Sequence, residues 1–176
     1  MMPPRLDHGL AGAAADTIDQ ARERPGGRVS DEVITRLKGL PALLRTSGPL
    51  ATLAFFAAKA SEDKKLGPAY AVVGQALREQ VRAELPQLSP DADQDSGLTG
   101  FVRSFTGERV TPGDLARATA RLEAFASWLR RLAEAVEHEQ EQQDKRKQRK
   151  QRTTVAGDAE QEEGAAPDAD PDTGDD

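Results

Sequence analysis

Hydrophobic residues before Val136 recur at spacings of three and four, the pattern of helices that bury one face. It predicts a first helix over 6–24, which Pro25-Gly26-Gly27 ends. A second helix is expected to begin after Ser30, whose hydroxyl can cap it. Pro41 should kink, end or restart this helix, because proline lacks the amide proton that a helix interior needs.

Gly48-Pro49 predicts a break, because glycine suits the residue past a helix end and proline suits the first turn of the next helix. The third helix, over 49–60, is apolar nearly all round, with Thr52 and Lys59 on its one polar strip. We interpret it as the central helix. A fourth helix is expected over 66–84.

Two further helices are expected after Pro86. A short one is indicated by Leu98, Phe101, Val102 and Phe105, which are spaced for one helical face. The last begins with Thr111 as its cap, Pro112 in its first turn and Asp114 in the acceptor position of a capping box. Its apolar residues alternate at spacings of three and four, and so form a narrow seam that should pack against another helix. They are Leu115, Ala118, Leu122, Phe125, Leu129, Leu132 and Val136.

Beyond Val136 the apolar pattern stops. We therefore expect an all-α protein: a compact bundle of about five to six helices over 1–140, with a disordered charged C-terminal tail. Residues 141–152 are basic and should form a helix extension or linker, and residues 153–176 an acidic disordered tail. The bundle is nearly neutral, with 18 Lys and Arg against 17 Asp and Glu up to Val136, whereas 137–176 hold 6 basic and 13 acidic residues.

The residue types argue against catalysis. The chain has no cysteine, and its two histidines, His8 and His138, have no partner at the spacing of metal ligands. The acidic stretches that begin at Asp91 and Asp168 do not fit a calcium loop, because glycine stands at the seventh position instead of the sixth. We expect no enzyme, cofactor or metal. With no long apolar run and no signal-peptide core, we also expect a cytoplasmic protein without a membrane partner.

The last helix carries a basic stripe, which we define as Arg117, Arg121, Trp128 and Arg131. On a helical wheel these residues fall within about 80°. The acidic Glu123 and Glu134 lie on the far side near Arg130, where they can pair with it. The stripe is therefore expected to be free of acids.

Guanidinium groups beside an indole suit a phosphate backbone with stacked bases. The alternative is that Trp128 packs against a neighbouring helix and the arginines solvate it. The basic cluster Lys145–Arg152 likewise either binds phosphates non-specifically or is neutralised by the acids after it.

The segment Leu40–Lys59, LPALLRTSGPLATLAFFAAK, resembles the signature of the small-subunit family of type III-B CRISPR effectors, the Cmr complex. Members carry a Leu-Pro-Ala-Leu-Ile-Arg-Thr-Asn-Gly-Leu stretch followed by a Thr-Leu-Ala-Phe helix. Here Ser47 replaces the asparagine and Pro49 is inserted before Leu50. A late Trp-Leu-Arg-Arg segment, Trp128–Arg131, adds to the resemblance.

The resemblance implies a helical subunit without nuclease activity, stacked in several copies along a ribonucleoprotein with other subunits and with guide and target RNA. Contact would be made to the RNA backbone, while the guide supplies specificity. The candidate RNA-binding residues are Arg45, Lys59, Arg117, Arg121, Trp128 and Arg131. The alternative function is a helical protein–protein adaptor that does not touch nucleic acid.

Overall fold

The structure is a computed structural model that describes residues 6–22, 27–62, 65–86, 101 and 110–162. All the regular secondary structure in these residues is helical, which confirms the all-α class. There are four helices in the described part of the chain, numbered in chain order. They are α1 (Leu6–Gln20), α2 (Asp31–Glu62), α3 (Gly67–Glu84) and α4 (Pro112–Glu162).

The expected number of five to six helices is therefore too high. One reason is that the second and third predicted helices form a single helical span, α2, which is interrupted only at Gly48. Helical dihedral angles continue through Pro41, which neither ends nor restarts the helix. The short helix predicted near Phe101 lies outside the described residues, except for Phe101 itself, which is helical and buried.

The start of α2 and the break within it follow from local sequence. The amide of Val33 donates a hydrogen bond to Ser30 Oγ over 3.3 Å, so the predicted N-terminal cap is present. Gly48 has φ 77° and ψ 168°, a conformation open essentially only to glycine, so the predicted break is confirmed. Thr52 donates to the Gly48 carbonyl over 2.8 Å. Thr52 is completely buried, which corrects its expected place on a polar strip.

Helix α3 packs closely on α2. A Cβ atom on Gly67 would lie 2.6 Å from the carbonyl oxygen of Ala60, so only glycine permits this approach. The rings of Phe56 and Tyr70 lie 6.0 Å apart in the core. The Tyr70 hydroxyl donates to Glu32 over 3.3 Å. Burial and then the negative charge of Glu32 raise the pKa of Tyr70, so the phenol keeps the proton that it donates.

The predicted seam of α4 is buried through its middle. Ala118, Leu122, Phe125 and Leu129 have no exposed surface, while Leu132 and Val136 are partly buried against the same core. Leu115 departs from the prediction, since 41 % of its surface is exposed. Each large side chain buried in this way contributes about 1.5–3 kcal/mol from the hydrophobic effect. The buried seam therefore fixes which way the basic stripe of α4 faces.

The chain divides into two units, Met1–Glu137 and His138–Asp176. In the second unit α4 continues to Glu162 and so includes the start of the predicted acidic tail. The rest of that tail lies outside the described residues, and the predicted boundaries at 140 and 152 stay predictions. Among the helices described, none is both long and apolar enough to cross a bilayer.

Candidate functional site

The first half of the basic stripe faces an acidic residue on α3. Arg117 Nε lies 3.4 Å from Glu84 Oε1, and Arg121 Nη1 lies 3.8 Å from Glu84 Oε2. Arg121 also donates from Nε to Gln80 Oε1 over 3.1 Å. The side chains of Glu84 and Arg121 are only 26 % and 22 % exposed, so water screens this pair less than a surface pair. These two arginines thus join α4 to α3.

A second acid reaches the stripe from the start of α4. The amide of Thr111 donates to Asp114 Oδ2 over 2.9 Å, and the amide of Asp114 donates back to Thr111 Oγ1 over 3.2 Å. The predicted capping box is therefore present. Asp114 Oδ1 also accepts a hydrogen bond from Arg117. Hydrogen bonds from the amide and then the hydroxyl of Thr111, followed by the charge of Arg117, hold the pKa of Asp114 below its ordinary value of 3.8.

The expectation of an acid-free stripe was wrong for its first half. Asp114 lies three residues before Arg117 on the same helix, and Glu84 comes from α3. Glu84 did have a signal in the sequence: it follows the buried Leu77 by seven residues, which places a carboxylate on the buried face of α3. A carboxylate in that position needs a cation from a neighbouring helix. The sequence does not say which helix supplies it.

The second half of the stripe has a different environment. The guanidinium carbon of Arg131 lies 5.3 Å from the centroid of the Trp128 ring, a cation–π contact. Trp128 is partly buried and packs against the core, as the alternative interpretation expected, while Arg131 is exposed. Arg131 makes no ion pair within the described residues. Its neighbour Arg130 is paired with Glu134 at 2.9 Å, as predicted.

Of the two candidates on α2, Arg45 is exposed and Lys59 is half-buried, and neither contacts the stripe. Arg45 donates from Nε to the carbonyl of Pro41 over 3.1 Å, which holds its guanidinium along the helix. Lys59 Nζ lies 3.6 Å from Glu62 Oε2, a surface pair of little energetic consequence. No hydrogen bond or ion pair in the described part of the chain joins either residue to the stripe. The structure therefore does not assemble all six candidates into one contact network.

Two contacts were missed by sequence reasoning. Lys38 Nζ lies 2.7 Å from Glu137 Oε2, an ion pair between residues that are distant in the chain. Arg36 lies with its guanidinium carbon 5.7 Å from the centroid of Phe55, beside a groove of about 310 Å³ at the bend of α2. No local pattern marks either pair, because the partners come from different segments.

The described residues contain no group of three or more histidine or acidic side chains that could hold a metal ion. Both histidines are exposed. The described part of the chain is thus an all-α bundle whose candidate site consists of ion pairs between helices and one cation–π contact. This is the class of protein that the fold and the site define.

The family described as "CRISPR-associated protein (Cas_Cmr5)" matches residues 6–136. The chain belongs to this family, the small subunit of the type III-B CRISPR effector, or Cmr complex, as the resemblance of Leu40–Lys59 predicted. A search of curated proteins and a search of solved structures found no match. All six candidate residues lie within the matched region.

Proposed function

We propose that this protein is a non-catalytic structural subunit of the type III-B effector that binds RNA. In the proposal it acts in the cytoplasm, stacks in several copies along the complex and contacts the backbone of the guide and target RNA. The family places the chain in the complex. The observation that carries RNA contact is the exposed guanidinium of Arg131, which lies on the Trp128 ring and has no acidic partner among the described residues.

The chemistry of this pair suits a phosphate backbone. A guanidinium group can donate two parallel hydrogen bonds to phosphate oxygens. Because the guanidinium of Arg131 already lies against the indole of Trp128, less side-chain freedom is lost when the phosphate binds. Such contacts carry no base information, so the guide would supply the specificity of the complex.

The candidates differ in their availability. Arg131 and Arg45 make no ion pair within the described residues, and we assign them direct contact with phosphates. Lys59 is a secondary contact, since it would have to leave Glu62. Arg117 and Arg121 stabilise the packing of α3 on α4 through Glu84, and RNA would have to displace that carboxylate to engage them.

A second candidate function is an adaptor that binds only protein. It is favoured by the neutralisation of Arg117 and Arg121, which removes positive charge from half of the stripe. In that case Trp128 and Arg131 would contact another subunit, since both residue types are enriched at protein interfaces.

The test compares two neighbouring arginines in the assembled complex. Arg131→Gln removes the unpaired cation, and Arg130→Gln removes a cation that is already paired with Glu134. Retention of target RNA is measured at several salt concentrations. We expect Arg131→Gln to weaken binding by about fivefold, because a charge-assisted contact contributes about 1 kcal/mol or more, and Arg130→Gln to have little effect. Equal RNA retention by both variants and the unchanged complex, with normal assembly, would favour the adaptor.

A further inference from the structure

Helix α4 continues well past the family-matched region. The match ends at residue 136 and the first unit ends at Glu137, yet α4 extends to Glu162. The family therefore assigns no role to the continuation. Within it lies the basic segment Lys145–Arg152, KRKQRKQR, in which six of the eight residues are lysine or arginine.

The basic segment has no packing role that its sequence or its surface reveals. Residues 145–149 and Gln151 are exposed. On a helical wheel the six cations cover an arc of about 220°, and only Gln148 and Gln151 lie in the remaining sector. No apolar residue occurs anywhere in the segment. Charge is therefore the property that this surface offers to a ligand.

The acid one turn before the segment offsets little of its charge. Glu141 lies one turn before Lys145 and pairs with it at 3.8 Å, but both side chains are mostly exposed, so the pair is weak. Arg146 and Lys147 are exposed and make no ion pair within the described residues. The order of charges also favours the helix, because a glutamate that precedes a lysine by one turn stabilises a helix more than the reverse order does. These charges support the helix and leave outward cations available.

The lack of an apolar face decides between classes of ligand. A helix that binds in a membrane interface needs a hydrophobic face, and a coiled-coil partner needs an apolar seam. A nucleic acid needs neither, because its phosphates present a regular row of negative charge. We propose that the basic segment is a second RNA-binding site, separate from the stripe, which contacts phosphates without reading sequence. The choice of RNA as the nucleic acid rests on the proposed function.

The test uses the isolated full-length chain and a fluorescein-labelled single-stranded RNA of mixed sequence, with binding followed by anisotropy. The variant R146Q/K147Q/R149Q/K150Q removes four charges and keeps residues that favour helix. The helix rises about 12 Å over the segment, enough for roughly three phosphate contacts. Losing them should reduce the slope of log affinity against log salt by about 2. Between roughly 50 and 200 mM salt the unchanged chain should therefore lose about fifteenfold more affinity than the variant.

Three controls make the result specific. R146K/R149K keeps the charge and should bind RNA like the unchanged chain. Arg131→Gln leaves the basic segment intact. In the isolated chain this variant's slope of log affinity against log salt should therefore stay within about one unit of the slope of the unchanged chain. Polyglutamate and phosphatidylserine vesicles are tested at the same salt concentrations and should bind the unchanged chain more weakly than RNA does.

The proposal is overturned if the four-glutamine variant binds RNA with unchanged affinity and slope. It is also overturned if the vesicles or polyglutamate bind the unchanged chain as tightly as RNA does. The proposed function is scored by RNA retention in the complex, and the basic segment by RNA binding to the isolated chain, so failure of one proposal is distinguishable from failure of the other.

Discussion

The two halves of the basic stripe on α4 contain the same kinds of residue and have opposite electrostatic environments. In the first half Arg117 and Arg121 face Glu84, and Arg117 also faces Asp114. In the second half Arg131 lies on Trp128 with no ion pair in the described residues. The comparison teaches that arginines on one helix face are not equally available to a ligand, because the neighbouring helix neutralises some of them.

The largest effect is expected from a substitution in the buried seam of α4, which supports both halves of the stripe. Leu122 has no exposed surface and lies in the buried seam of α4, so Leu122→Ala should lower the free energy of unfolding by roughly 2–5 kcal/mol. Leu115→Ala on the same helix is the matched control and should cost less than about 1 kcal/mol, because Leu115 is 41 % exposed. Urea denaturation checks both. Similar losses in the two variants would show that α4 does not pack through this seam.

The second substitution removes Glu84, the carboxylate from α3 that faces only the first half of the stripe. Glu84→Gln should lower the free energy of unfolding by about 1 kcal/mol, since partly screened pairs with Arg117 and Arg121 are lost. It should also strengthen retention of target RNA by the complex, because Arg121 loses the carboxylate of Glu84 and Arg117 keeps only Asp114. Glu79→Gln, an exposed change on the same helix, is the control. Unchanged RNA retention would leave the first half of the stripe with a structural role only.

The third prediction concerns the other half alone. Trp128 is the only tryptophan in the chain, so its fluorescence reports directly on Arg131. Arg131→Ala should shift the emission spectrum and lower the free energy of unfolding by about 0.5–1 kcal/mol through loss of the cation–π contact. Arg130→Ala should leave the emission unchanged. If both variants give the spectrum of the unchanged chain, Arg131 does not stay on the indole in solution.

The smallest effect is a pH dependence at the start of α4. The pKa of Asp114 is lower in the folded protein than its ordinary value of 3.8, so its carboxylate stabilises the fold fully above that pH. This stabilisation is lost as the pH falls through the folded pKa, when the capping box and one partner of Arg117 are weakened. The free energy of unfolding, measured from neutral to acid pH, should fall less steeply for Asp114→Asn than for the unchanged chain. Parallel curves would contradict the assignment.

Much of the fold was predictable because its signals are local. The cap at Ser30, the break at Gly48 and the capping box of Thr111 and Asp114 each depend on residues within about one helical turn. The spacing of apolar residues likewise identified the buried middle of α4. The helix count was too high because the predicted helices on either side of Gly48 form one span, α2, which resumes directly after that residue.

The candidate site was predictable only in part. The pairing of Arg130 with Glu134 follows from a spacing of four residues on one helix. The pairing of Arg121 with Glu84 and Gln80 does not, since those residues belong to another helix. Thr52 is a second example. The helical wheel predicts an exposed side chain, but tertiary packing buries Thr52, whose hydroxyl donates to the Gly48 carbonyl.

By itself the sequence determined the helical class, the caps and break, and the family signature in Leu40–Lys59. These depend on backbone preferences and on contacts between near neighbours in the chain. Only the tertiary structure decided which arginines of the stripe are neutralised, because a charge is paired by whatever side chain packing brings within a few ångströms. Packing brought Glu84 to the first half of the stripe and left Arg131 on its indole.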